Sequence, residues 1–362
     1  MRRTSTAIAA LLLLGACQST QELTLSPPVA ELPPAPTQAD RAELVAAESA
    51  RLNQWFEDKF QETLARNPMY QTYLGVKTDY DKWNDVSDAA EIEEMEIQRA
   101  NIAEMKTLFD FDLLDDQAKL SWRLAEYELA DAEAGFPYRH YDYVFDQMGG
   151  VQSGIPAFLI NQHGVTSLSD AEAYVARLEG VETYLAQNIE NAEYSAGLGI
   201  MPPAFVYPYV LNDSKGVITG YPFTSDVDDG SEDSPLMKDF RGKVSGLVEG
   251  GTIDAAQADE LLASAAAALE TSVGPAYENL IAVMEKQSES ATTEDGAWKL
   301  PEGDAYYAMR LKHITTTDKS AADIHQLGLD EVARIHDEMR GIMTKVGFEG
   351  TLKEFFEFMR TD

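Results

Sequence analysis

From Asp40 to the end of the chain, apolar side chains recur at three- and four-residue intervals, and this periodicity leaves few folds open. Residues 42–66 place Leu44, Val45, Leu52, Trp55, Phe56, Phe60 and Leu64 along one stripe. The stripe stops before Asn67-Pro68, because a proline disfavours helical backbone in the residue ahead of it. Residues 89–109 and 117–134 repeat the pattern. Ser169-Asp170-Ala171-Glu172 reads as a capping box that opens a helix running to about residue 191. Residues 254–287 read as one long helix broken at Gly274-Pro275, or as two. Ser320 to Asp323 starts a helix whose apolar face carries Ile324, Leu327, Val332, Ile335, Met339 and Ile342, and residues 351–360 begin a last one. No alternating apolar series with hairpin turns appears, and no strand–helix alternation. The expectation is an all-α body with few or no strands.

Three stretches break the pattern and read as loops: 141–163, rich in Gly, Gln and aromatics; 201–222, rich in Tyr and Pro; and 225–234, strongly acidic. The chain has 362 residues, 44% of them apolar and 25% charged, which is enough to bury a core without covalent staples. Its 62 acidic against 28 basic residues leave a net charge of −34, which repels phosphate backbones, so nucleic acid is not an expected partner. One cysteine excludes an internal disulfide framework and cages built from several thiolates.

That cysteine sets an address. Arg2 and Arg3 precede a short apolar run, Ala7 to Leu14, too short to span a bilayer permanently. Leu14-Gly15-Ala16-Cys17 then resembles the bacterial lipobox, in which the cysteine becomes the acylated first residue; an ordinary secretory signal ending near a cysteine is the alternative. By the same resemblance, Gln18 after the cysteine implies the outer membrane, facing the periplasm. Residues 1–16 are thus expected as the signal peptide. Residues 17–39, with five prolines from Pro27 to Pro36, are expected as an extended spacer, and 40–362 as the folded body. The bilayer is the expected partner through Cys17.

No complete catalytic set is legible. The histidines are His140, His163, His313, His325 and His336, and no two stand three or four residues apart. His325 and His336 share a helix face but lie about 16 Å apart along it, too far for one zinc ion. His336-Asp337-Glu338 lacks the further ligands a zinc deaminase needs. Gly150 to Gly154 has the wrong spacing for a nucleophile elbow. The acidic run from Asp226 has Ser231 and Met237 where a calcium loop needs Gly and Glu. The candidate cleft wall is instead polar and turn-rich: Gln147, Gly149, Gly150, Gln152 and Ser153, with Asn161 and His163 following. Tyr306, Tyr307 and His313, ahead of Thr315-Thr316-Thr317, form a second candidate group. Both stretches also suit plain packing between helices.

Several of these segments, taken in order, resemble the DUF885 proteins. They are Gln147 to Pro156; Ser272 to Tyr277; Gly303 to Tyr307; Thr315 to Thr317 with Ile324 to Leu329; Glu331 to Met339; and the helix from Leu352 to Arg360. The resemblance spans about residue 43 to the last residue. It implies a largely helical fold around a deep cleft, of which this chain forms one side. It further implies zinc metallopeptidase chemistry of the gluzincin type, with a His-Glu-x-x-His helix and a downstream acidic ligand. Those residues belong beyond the matched region, so no catalytic residue and no metal ligand carries over to any position here. Zinc is implied for a full-length relative and no cofactor for this chain. The resemblance therefore implies the N-terminal portion of a peptidase-like lipoprotein, inactive alone, with peptides as candidate ligands. A non-catalytic helical envelope lipoprotein that binds peptides or partner proteins is the alternative.

Overall fold

The computed structural model of the chain describes residues 37–361, and Cys17 and the signal segment lie outside the described residues. The chain divides into two units, Met1–Leu44 and Val45–Asp362. Of the first, the described part is the start of helix α1 (Gln38–Ala65), opened by reciprocal bonds between Thr37 and Asp40; it begins two residues inside the stretch read as spacer. All further elements belong to the second unit.

Among the described residues the structure is α-helical, with one isolated bridge between Tyr221 and Asp233 in place of any strand. After α1 come α2 (Pro68–Tyr73), α3 (Asp88–Leu108), α4 (Asp116–Gly135), α5 (Val151–Asn161) and α6 (Leu168–Gly197). They are followed by α7 (Tyr207–Val217), α8 (Pro235–Glu249), α9 (Ala255–Ala268) and α10 (Gly274–Ser288), and then by α11 (Gly303–Thr315), α12 (Ala321–Val346) and α13 (Leu352–Thr361). No described helix is long and apolar enough to cross a membrane.

Two cores hold α1 and α3–α10. The smaller joins α1, α3 and α4 through Leu52, Ile102, Met105, Phe109 and Trp122. The larger surrounds α6, whose Tyr174, Leu178, Val181, Leu185 and Ile189 repeat at three and four residues and are all buried against α5 and α7–α10. Between α9 and α10 the chain makes a π turn over Leu269–Val273, so the long stretch resolves as two helices. Pro275 sits in the first turn of α10, where its missing N–H has no intrahelical partner to lose. Ser272 Oγ in that turn donates to Glu179 O at 2.8 Å and accepts from Glu182 N at 3.1 Å, fastening the turn to α6.

Three sequence expectations change. The stretches 141–163 and 201–222 hold helices α5 and α7 rather than uninterrupted loop. The cap of α6 is Ser167, whose Oγ accepts from Asp170 N, two residues before the expected box. The Asp170 carboxylate is engaged elsewhere, by Lys77 Nζ at 2.8 Å and by the backbone and hydroxyl of Thr166. The acidic loop 225–234 is also less solvated than its composition suggests, because Arg241 clamps Asp228 at 2.6 Å and Asp233 at 2.7 Å.

Candidate functional site

The segment from Tyr138 to Ser153 links α4 to α5 and touches more of the body than its length requires. Its turn is built by Asp146, whose Oδ1 accepts from Met148 N at 2.6 Å and Gly149 N at 2.8 Å. Val151 N donates to Val144 O at 3.0 Å and closes the turn at the start of α5. This holds Gln147 and Gly149 at the tip and leaves Met148 90% exposed, an unusual position for a thioether with no polar function. Gly150 faces inward, where a Cβ would overlap the backbone of Asp146 and the Gln152 side chain; Gly149 has open space around it.

Gln152 is fully buried, its Nε2 donating to Asp146 O and its Oε1 without a partner. Its backbone is committed as well. Pro156 stands inside α5 and has no N–H to give the Gln152 carbonyl four residues back. The hydroxyl of Tyr277, on α10, donates to that carbonyl at 2.8 Å and replaces the missing bond. Burial pushes the Tyr277 phenol far above its ordinary range, so it stays a donor. Two segments that carry the family resemblance, Gln147 to Pro156 and Ser272 to Tyr277, thus meet at one hydrogen bond. Ser153 Oγ faces the other way and donates to Asp213 Oδ2 on α7 at 3.2 Å.

At the far end of α5, about 16 Å along the helix axis, His163 occupies a separate site. It is completely buried, its ring tilted against Tyr80, with Nε2 2.9 Å from Asp170 O and Nδ1 2.9 Å from Arg177 Nη1. A guanidinium can only donate, so Nδ1 accepts and the proton lies on Nε2. Burial, with the Arg177 and Lys243 charges, drives the His163 pKa from 6.5 down to about 4. Arg177 is itself buried without a carboxylate partner; it donates to Thr72 Oγ1 at 2.7 Å and Lys82 O at 3.1 Å, and burial lowers its pKa to about 10. These groups join α2, the 74–87 segment, the end of α5 and α6. Asn161 remains on the surface and donates to Ala157 O of its own helix at 2.9 Å.

The third group lies on α11. Tyr306 packs its ring at a tilt against Tyr138 and Tyr141, and its hydroxyl donates to Asp142 Oδ1 at 3.2 Å; burial, with that carboxylate, raises its pKa to about 12. Tyr141 returns a bond to Pro301 O at 2.8 Å. Tyr307 is half exposed, and His313 pairs through Nδ1 with Asp131 Oδ2 of α4 at 2.6 Å. The structure therefore connects Tyr306 to the segment carrying Gln147–Ser153 through Tyr141 and Asp142, and it separates His163 from both. No local sequence pattern marks Asp142, Asp146 and Asp213 as partners, and Tyr277, though it ends a segment of family resemblance, carries no local sign of its bond to Gln152.

An open cleft of about 720 Å³ lies elsewhere, between the end of α1, the 84–87 turn, the start of α3 and Asn191, and is lined by Arg66, Glu91 and Glu94. No sequence candidate lines it. The described residues do not fit a zinc site. Both His163 nitrogens are engaged, His140 and His313 each face one aspartate, and His325 and His336 stand eleven residues apart on α12. No three His, Cys, Asp or Glu side chains converge among the described residues.

Comparison with known proteins fits this architecture. The chain superimposes on the crystal structure of a protein from Colwellia psychrerythraea described as a candidate lipoprotein, with a TM-score of 0.66 and 22% identity. The match takes in 89% of this chain but 54% of that one, so the chain spans about half the length of this structural relative. No curated protein gives a match. A family model described as "Bacterial protein of unknown function (DUF885)" matches residues 68–362, nearly all of the helical body, and the chain belongs to that family.

Proposed function

We propose that this chain is the wall-forming portion of an extracytoplasmic, lipid-anchored DUF885 protein whose whole form hydrolyses peptide bonds with zinc. Cys17 carries the acyl anchor, at the outer membrane on the periplasmic side. The observation that carries the reading is the combination of a family match along the body with alignment to only about half of a structural relative. The described residues supply no zinc-competent set, so zinc ligands and a general base would come from polypeptide outside this chain. What the chain offers is a surface: the Asp146 turn with Gln147, Met148 and Gly149, and the Tyr306 and Tyr307 edge of α11. Exposed thioether, amide and aromatic groups on a rigid turn suit an extended peptide.

The test is to sequence the DNA after the Asp362 codon in three frames and express the longest product. A continuing frame with His-Glu-x-x-His, zinc-dependent peptide hydrolysis by the longer product and none by this chain alone are expected. A stop in every frame, or an intact longer product that cleaves no peptide, overturns the reading. Cys17→Ser should move the protein from the detergent-rich to the aqueous phase in detergent partition; an unchanged distribution overturns the anchor.

The second reading, a non-catalytic envelope lipoprotein that binds partner proteins, draws on the uncovered apolar face of α12. Stops in all frames, with a stable monodisperse chain, would favour it.

A further inference from the structure

Helix α12 is about 39 Å long, and Leu327, Ile335, Met339, Ile342 and Val346 fall on one face of it. In a globular protein such a stripe faces a core. Here Leu327, Ile335, Ile342 and Val346 are each at least 40% exposed, and Met343 is the only buried residue among the 26 of α12. Among the described residues α12 packs most extensively on α13, met at the C-terminal end through Phe348, Phe355 and Phe358. Contiguous exposed apolar surface of this kind marks a face that another surface covers. The flanking charges do not advertise a charged ligand either. Arg334 is paired with Glu331 and Glu338, and Arg340 with Asp337, all within the helix.

Three occupants could cover the stripe, and charge and chain length separate them. A second copy carries another net charge of −34 over its whole chain, so two copies repel one another on approach. An anionic membrane meets the same repulsion. Further polypeptide of the same protein does not carry that penalty by necessity, and nearly half of the structural relative has no counterpart in this chain. We propose that the α12 stripe is the docking surface for that further polypeptide, which lays an apolar helix face along Leu327 to Val346. This rests on the reading above that the chain is one portion of a longer protein, and it names the seam between the portions.

The test uses the intact chain and, as probe, the polypeptide encoded after the Asp362 codon, produced separately. Ile335→Glu and Leu327→Glu alter side chains that stand in solvent, so an unchanged melting temperature is the folding control. Mixing should give a 1:1 complex with slowed hydrogen exchange in residues 324–346, and each substitution should weaken it about tenfold or more. A complex that leaves α12 exchange unchanged, or that ignores Ile335→Glu, overturns the proposal. So does self-association of the chain that Ile335→Glu abolishes, which would give the stripe to a second copy, and so does the lack of any downstream polypeptide. The two readings fail separately. A complex on the stripe that cleaves no peptide removes the peptidase, whereas an active zinc peptidase indifferent to both glutamates removes the seam.

Discussion

Acid should weaken this protein through His163, which the fold holds as a buried neutral imidazole. The folded chain holds His163 neutral, with Nδ1 accepting from Arg177 and Nε2 donating to Asp170 O. Protonation would remove that acceptor and place a second cation 2.9 Å from a buried guanidinium. The folded pKa is about 4 against an ordinary 6.5. Between these values the unfolded chain binds the proton and the folded chain does not, so stability is full above pH 6.5 and falls as the pH drops towards 4. At 1.36 kcal/mol per unit the whole effect is about 3 kcal/mol, and about 2 kcal/mol is already lost by pH 5. His140 shifts in the same direction, by burial and the Arg139 charge, so the measurement must be a difference. Urea unfolding of the wild type and His163→Asn at pH 7 and pH 5 supplies it. Asparagine can still accept from Arg177 but cannot titrate. The variant is less stable at pH 7, because Asp170 O loses its donor, yet its further loss on acidification should be smaller than the wild type's by about 2 kcal/mol. Equal losses in the two proteins would refute a neutral, buried His163.

The Tyr277 hydroxyl should matter for the same structural reason at the other end of α5. Tyr277→Phe keeps the ring and strands the Gln152 carbonyl, which predicts a loss of about 1–3 kcal/mol in thermal or urea unfolding. In the Pro156→Ala background, where an N–H is restored, the same change should cost less, and an additive double-mutant cycle would disprove the substitution of one donor for the other. Gly150→Ala should destabilise by about 1–3 kcal/mol through overlap with Asp146, while Gly149→Ala should be close to neutral. Equal melting temperatures for the two would show that the turn has room to relax around an added methyl.

The parts of the fold that could be read in the sequence are those whose stabilising contacts repeat within one helix. The stripes of α1, α3, α4, α6, α12 and α13 span several turns, and their existence follows from periodicity alone. Short helices with proline were not legible. α7 carries Pro208 and α8 opens on Pro235, both in the first turn, where proline costs nothing. Beside Gly and Tyr such prolines read as loop. α5 is harder still, because Pro156 stands in its interior. What permits it is a phenol 125 residues beyond Gln152, and no local pattern announces such a donor.

The candidate site follows the same division. Gln147, Gly149 and Gly150 were recognisable as a turn because glycine and amide chemistry is local, and the turn is there, held by Asp146. The roles of the other candidates depend on partners that only the fold supplies. Gln152 and His163 look like ligand-binding groups by residue type, yet their polar atoms face Asp146, Asp170 and Arg177 in the interior. Tyr306 reaches Asp142 across 164 residues and His313 reaches Asp131 across 182. Several of the segments on which the family resemblance rests are therefore joints. Gln147–Pro156 is tied to Ser272–Tyr277, and the latter to α6. Joints of this kind report shared architecture and fix where surfaces stand. Chemistry specific to this protein has to be sought on what they hold outward: the Met148 turn, the Tyr307 edge and the bare face of α12.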